Sequence, residues 1–449
     1  MKTRISFIVF AFFLLFVGCG SRPAGSQGVE AVYDCSVLDS IVMSSVANGD
    51  VPGAVLCVST PKGCYAKAYG WRGVFGRREE MPDSAVETAL FDLASLSKPV
   101  GVGMAVLRLV EEGRICLSDK VSRYLPAYEG EATITDLLTH TSGLPAYAQW
   151  KKVSGSNSPN MLINDVERQA RRQAMEDYVC HCTRLSVPAS ASGSNSCDSC
   201  WKEGVYRYSC LNFITLQYVV EAVTGMPLDD YTRRYVFEPL GMMNTRYMRV
   251  SDEWNSEESQ FVLKPQVSQD VVVVPTEAVP VSEVSSSWLQ TQGSDLFLLH
   301  DSVCLCGVVH DPLAREMNSG ASGNAGVFST AADLLALGEW MVGRRHVADT
   351  VMTDVQQHGL FFVVPEEYES FCRSLGWGVW TPDDSSCTQQ PCPSDALAII
   401  YHTGYTGTYM LVDKNRQLVL VLLTNRVHPH DGGAIGRMRK ELTNEVLRS

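Results

Sequence analysis

Near the C-terminus three apolar runs, "ALAIIYHTG", "GTYMLVDKN" and "QLVLVLLTN", follow one another with almost no chain between them. They are dense in β-branched and aromatic residues and bounded by Gly, Asn or Asp, the pattern of strands ended by turns. A turn at Asp413-Lys414-Asn415 joins the last two. Strands linked that tightly run antiparallel, because a parallel crossover needs about a dozen residues or more. "LGWGVW" reads as another strand upstream. The other end of the chain carries the same signature in "GAVLCVST" and "GCYAKAYGW", joined by Pro61-Lys62-Gly63.

Between these ends the apolar residues recur at helical spacing. Helices are expected over residues 34–48, 97–112, 211–224, 330–342 and 433–447. Gly113 and Gly225 serve as stops. "ITDLLTHTSGLPAY" reads as a short helix ended by Gly143 and Pro145. Strands at both termini with helices between imply an α/β fold. One antiparallel sheet is assembled from the two ends and flanked by helices, with a mainly helical second lobe. Residues 154–202 lack clear periodicity at their ends and read as an inserted, cysteine-bearing surface excursion.

The first residues stand apart. Lys2 and Arg4 precede an almost continuously apolar stretch over residues 5–18. It is shorter than the roughly 20 residues that span a bilayer, so it reads as an export signal. Residues 19–34, rich in Gly and Ser at their start, read as a flexible tether, and 35–449 as the globular domain. The formal net charge of −13 and the lack of any basic run argue against nucleic acid as a partner. There are fifteen cysteines. Setting Cys19 aside leaves an even number in a chain sent to an oxidising compartment, which points to disulfides. Cys387 and Cys392 bracket a short loop that a disulfide would close. Cys180, Cys182, Cys197 and Cys200 have a spacing open to two local disulfides, zinc or free thiols.

"FDLASLSKPVG" carries the candidate chemistry. Ser95 and Lys98, three apart at a helix start, share one face. The helix N-terminus favours an alkoxide, and burial disfavours an ammonium, so a neutral Lys98 is expected to take the proton of Ser95. Ser97, adjacent to Lys98, projects elsewhere. Ser59 and Lys62 repeat the spacing across a hairpin, where the two groups cannot share a helical face.

Four further motifs stand in order behind it: "LLTHTSGLP", "YRYSCLNFITLQYVVEAVTG", "VFEPLGMMNTRY" and "HTGYTGT". As a set these resemble the serine β-lactamase and penicillin-binding-protein superfamily, in its class C and esterase-like branch. The resemblance runs from about residue 35 to the C-terminus and implies a β-lactamase/transpeptidase-like fold. It makes Ser95 the acylated nucleophile, Lys98 its base or proton relay, and Tyr208 the phenol that passes a proton to the leaving group. It sets His402, Thr403 and Gly404 along the strand edge beside substrate, with backbone N–H groups of Ser95 and Tyr405 as the oxyanion hole. Cys210 stands where the family has Asn or Asp, and a thiol is a poor donor and acceptor. "CGVVHDPLA" and "SGASGNAGVFSTAADL" resemble a narrower, esterase-like and muramyl-peptide amidase-like branch. There His310 and Asp311 either line the cleft or hold a loop together. "LTNRVHP" adds Arg426, either an anchor for a substrate carboxylate or part of a surface ion pair.

"FVGC", residues 16–19, resembles a bacterial lipobox, with Phe at the usual Leu position. The implied protein is lipid-anchored through Cys19 in the bacterial cell envelope. The implied reaction is acyl-enzyme hydrolysis of an amide or ester without metal or cofactor. Its substrates are peptidoglycan fragments, other small peptides or esters, or β-lactams, through D,D-carboxypeptidase, muramyl-peptide amidase or esterase activity. The alternative is a non-hydrolytic penicillin-binding or muropeptide-sensing lipoprotein of the same fold.

Overall fold

A computed structural model describes residues 35–73, 79–157, 165–182, 206–249, 254–255, 260–261, 271–280, 298–299, 302–365, 372–380, 398–433 and 435–448. The export signal, the tether and Cys19 lie outside the described residues, as do Cys197, Cys200, Cys387 and Cys392. Among the described residues no helix is long and apolar enough to cross a membrane.

The main strands are β1 (Gly53–Thr60), β2 (Gly63–Gly73), β3 (Glu79–Glu80), β4 (Ala89–Asp92), β5 (Val327–Ser329), β6 (Gly378–Val379), β7 (Ile399–Thr403), β8 (Tyr409–Asp413) and β9 (Leu418–Thr424). Seven of them form one sheet in the order β6-β7-β8-β9-β1-β2-β3. Every pairing in it is antiparallel, including β1 with β9, which joins the two ends of the chain.

The pleat explains why these strands read as unbroken apolar runs. On β9, Leu418, Leu420 and Leu422 face one hydrophobic cluster, whereas Val419, Val421 and Leu423 face another. A sheet covered on both sides has no polar face to show. The first cluster is closed by the terminal helices α1 (Cys35–Ala47) and, at the other end of the chain, Ile435–Leu447, through Leu38, Val42, Met438 and Leu442. The second faces the helical lobe: α2 (Met104–Glu111), α3 (Ile134–Thr139), α4 (Asp165–His181), α5 (Cys210–Thr224) and α6 (Ala331–Met341). The α/β architecture expected from the sequence is the one observed.

Three local expectations change. The helical run after Ser95 is not regular at its start: a 3₁₀ turn (Ala94–Leu96) leads into a wide π turn (Lys98–Gly103) before α2 begins. The short helix α3 ends at His140, which takes the left-handed conformation with φ 63°, three residues before Gly143. The stretch 154–202 is not wholly a surface excursion. Its helix α4 buries Met175, Val179 and Cys180 in the same cluster as α5, because one face of α4 is apolar and docks there. Cys180 and Cys182 are buried free thiols whose pKa values burial raises to about 11 and about 12, so neither forms the local disulfide considered for them. Cys372 is in a disulfide.

Candidate active site

Strand β4 delivers the "LASLSK" turn to the middle of the molecule. It pairs antiparallel with β5, Phe91 opposite Ser329 and Asp92 opposite Phe328, and Leu93 N–H continues the contact by donating to Val327 O at 3.0 Å. The turn therefore starts beside the segment that precedes β5, residues 319–326. Ala94 has φ 46°, a left-handed backbone that few non-glycine residues adopt. Buried Asp92 holds it: one carboxylate oxygen accepts from Ala94 N–H at 2.9 Å and the other from His310 N–H at 2.7 Å. Burial raises the Asp92 pKa, and these two donors partly offset that.

Ser95 follows, half-buried at the start of the helical run. Lys98 is fully buried, and its Nζ lies 2.9 Å from Ser95 Oγ and 2.9 Å from Asn324 O. Ser97 does point elsewhere, into the core, where its Oγ accepts from Val327 N–H at 3.0 Å. Ser97→Ala leaves that buried N–H without a partner, a loss of about 1–3 kcal/mol. A lower midpoint in urea with Ser95 still acylated is the expected result; loss of acylation in a stably folded variant would reverse the assignment of the two serines.

The proton affinity of Lys98 reflects opposing influences. Burial disfavours the ammonium, but Cys210, Tyr208 and Asp311 favour it more strongly, and the amine is held above its ordinary pKa. The expectation of a neutral Lys98 is corrected on this point: burial acts in the anticipated direction, but the folded neighbours outweigh it.

Tyr208 stands over the pair, with Lys98 Nζ 5.1 Å from the centre of its ring. Cys210 opens α5, and its thiol faces Lys98 and Asn324; burial raises its pKa. Asn212 is turned away, accepting from Ser142 Oγ at 2.6 Å. On the sheet side, the His402 ring lies 6.3 Å from that of Tyr208. His402 Nδ1 lies 2.9 Å from Thr403 O, an acceptor, so Nδ1 carries the hydrogen and Nε2 is the lone-pair acceptor. Burial, then the charges of Lys98 and Arg373, push the His402 pKa well below its usual value, which keeps the ring neutral.

Gly404 brings the end of β7 against the nucleophile turn. A Cβ there would lie 2.0 Å from Thr408 Oγ1 and 2.2 Å from Leu93 O. Thr406 and Thr408 hydroxyls donate to Asp92 O and Leu93 O at 2.7 and 2.9 Å. The chain on both sides of Tyr405 is thereby tied to the residues that precede Ser95. Tyr405's own ring is exposed, stacks on His310 at 5.2 Å, and lies 4.7 Å from the Arg426 guanidinium.

Of the remaining candidates, His310 also pairs with Glu277 at 3.3 Å and lines a cavity of about 440 Å³ together with Tyr405 and Asp431. Asp311 acts structurally, capping Pro312–Met317 through Ala314 N–H and accepting from Asn324 Nδ2 at 3.0 Å. Arg426 is 8 % exposed and already engaged, donating to Tyr405 O at 2.9 Å and pairing with Asp431 at 3.0 Å. Of the two readings of Arg426, the ion pair is the one observed, with Asp431, itself 40 % exposed. Among the described residues no cluster of His, Cys, Asp or Glu is arranged to hold a metal ion.

Sequence reasoning did not single out Asp92, His140, Asn324 or Arg373, although the first three lie inside motifs it quoted. Nothing in their spacing distinguishes them, and their partners are remote in the chain.

The family model described as Beta-lactamase matches residues 38–445. The chain belongs to the beta-lactamase family. Members similar to it include a protein of Escherichia coli (strain K12) provisionally named a D-alanyl-D-alanine carboxypeptidase. It is 25% identical over 363 residues, which are 78% of this chain and 72% of that one. An N-acetylmuramyl-L-alanine amidase of Bacillus subtilis (strain 168) is 26% identical over 407 residues, 87% of this chain and 80% of that one. Two solved structures show the same beta-lactamase fold. EstCE1, a hydrolase with promiscuous acyltransferase activity, has a TM-score of 0.58 at 18% identity, covering 92% of this chain and 98% of its own. The class C beta lactamase of Rhodobacter sphaeroides has a TM-score of 0.54 at 17% identity, covering 92% and 99%. Family membership and these relatives support a serine hydrolase of the beta-lactamase family.

Proposed function

We propose that the protein hydrolyses amide or ester bonds of cell-wall peptides through an acyl-enzyme on Ser95. The observation that carries this is the contact of Lys98 Nζ with Ser95 Oγ at 2.9 Å beneath the ring of Tyr208. Lys98 is charged at rest; the reactive form is the one in which it has lost one proton to solvent, and its amine, 2.9 Å from Ser95 Oγ, takes the serine proton. Ser95 Oγ then bonds to the substrate carbonyl carbon, whose oxygen takes the charge between the N–H groups of Ser95 and Tyr405. Tyr208 gives its phenolic proton to the departing nitrogen or oxygen and is reprotonated by Lys98. Water repeats the sequence to release the acid. His402, neutral and accepting at Nε2, lines the strand edge beside substrate.

The relatives named as a carboxypeptidase and an amidase support the peptide substrate class. Lipid anchoring in the envelope through Cys19 belongs to the same proposal. A second reading rests on Cys210: a thiol facing Lys98 is a weaker hydrogen-bonding partner than an amide, which favours slow or absent turnover by a sensor of the same fold. Mature protein and its Ser95→Ala variant, offered a p-nitrophenyl ester, a chromogenic cephalosporin and muramyl peptides, separate the two. Serine-dependent turnover supports the hydrolase, and mass spectrometry of the muramyl-peptide products names the bond. Penicillin labelling at Ser95 without turnover of any of the three supports the sensor.

A further inference from the structure

His140 occupies a position where its side chain is the unexpected part. It ends α3 in the left-handed conformation, φ 63°, where Gly or Asn is the usual residue. It is 2 % exposed. Its atoms grip the chain on both sides of Tyr208. The backbone oxygen of His140 accepts from Arg207 N–H at 2.8 Å, and its Nδ1 accepts from Ser209 N–H at 3.1 Å. Between these two contacts the His140 ring lies against the Tyr208 ring, 4.4 Å between centres at an interplanar angle of 34°. Phe213 backs the imidazole at 5.2 Å, and Asn212, whose oxygen is held by Ser142, turns its amide toward the same Nδ1 at 3.4 Å.

A backbone N–H can only donate, so Nδ1 must be the bare nitrogen and Nε2 the protonated one. Arg373 and Lys98 bear on the ring with positive charge, and the neutral His402 ring and the phenols of Tyr206 and Tyr208 lie near it. Burial first, then those cations, depress its pKa well below the usual value, so the ring stays neutral and the acceptor is preserved.

We infer that His140 is a positioning residue for Tyr208: it sets the phenol over Lys98 and Ser95 by fixing the peptide groups before and after it and packing on its ring. The inference rests on the role proposed for Tyr208 as the proton carrier. A side chain that merely filled the core would need neither the bare Nδ1 nor the strained backbone.

The test is a double-mutant cycle on single-turnover acylation, with an alkyl ester and a p-nitrophenyl ester of the same acid. Alkyl leaving groups need a proton on departure; p-nitrophenolate does not. His140→Phe keeps a ring but removes the acceptor. It is expected to slow the alkyl ester about 100-fold and the p-nitrophenyl ester about tenfold, with KM within about twofold. In a Tyr208→Phe background the same change is expected to add little. His140→Asn, which tolerates the left-handed backbone and can still accept from Ser209, is expected to recover to within about tenfold of the parent on the alkyl ester. Equal losses on both esters, or an undiminished loss when Tyr208 is already Phe, overturn the inference. Should His140→Phe fail to fold, His140→Asn carries the cycle with an expected loss of about tenfold on the alkyl ester, and no loss overturns it. If Tyr208→Phe alone leaves alkyl-ester acylation untouched, the proton-carrier role of Tyr208 fails, independently of His140.

Discussion

With Lys98 replaced by methionine, acylation of Ser95 is expected to slow by about three orders of magnitude, while the overall fold persists. Methionine keeps the length and flexibility of the side chain and suits an apolar surround. What it lacks is the ammonium 2.9 Å from Ser95 Oγ and any capacity to exchange a proton with Tyr208. Because Cys210, Tyr208 and Asp311 hold the Lys98 proton against the effect of burial, Lys98 is mostly protonated near neutrality. Acylation by the parent protein is therefore expected to rise with pH as Lys98 loses its proton, and that limb should move or vanish in Lys98→Met. Acyl-enzyme formation from a p-nitrophenyl ester, followed by intact-protein mass spectrometry across pH, reads both effects. An acylation rate within tenfold of the parent would remove Lys98 from the proton path.

Gly404→Ala is expected to damage both activity and stability, for a reason that has nothing to do with hydrogen bonding by the new side chain. Its Cβ would intrude between Thr408 Oγ1 and Leu93 O, which are themselves joined by a hydrogen bond of 2.9 Å. One of those atoms is backbone and the other is tied to it, so neither yields cheaply. Forcing β7 away from the nucleophile turn is expected to cost about 1–3 kcal/mol in stability, as overpacking does elsewhere. The same shift separates the N–H of Tyr405 from that of Ser95, and a misplacement of about 1 Å at a reacting centre lowers the rate about 100-fold. Thermal unfolding and ester hydrolysis measured together check the pair. Loss of stability with full activity would show that the Tyr405 N–H has no part in the reaction.

The sheet was legible because its signal is local. Unbroken apolar runs on β1, β8 and β9, tight turns between neighbours and the run lengths all reside within a few residues. That the two ends share one sheet was read from the chain; that β1 pairs with β9 within it came from the structure. The helix stop at His140 was misplaced because a left-handed histidine is held by contacts with Arg207 and Ser209, far along the chain, which outweigh the local preference for Gly143. The stretch 154–202 was read as an excursion because the apolar face of α4 is intelligible only once α5 lies beneath it.

For the candidate site the division runs along the same line. Residue types at fixed local spacing, Ser95 with Lys98 and His402 with Thr403 and Gly404, were readable from the linear chain, as was the family that such motifs resemble. The charge on Lys98, the neutrality and tautomers of His140 and His402, the occupied state of Arg426, and the tie of Asp92 to His310 were decided by the tertiary structure alone. Each depends on desolvation and on partners brought close from remote parts of the chain, and a proton's affinity is set by what surrounds it in space rather than by what precedes it in sequence.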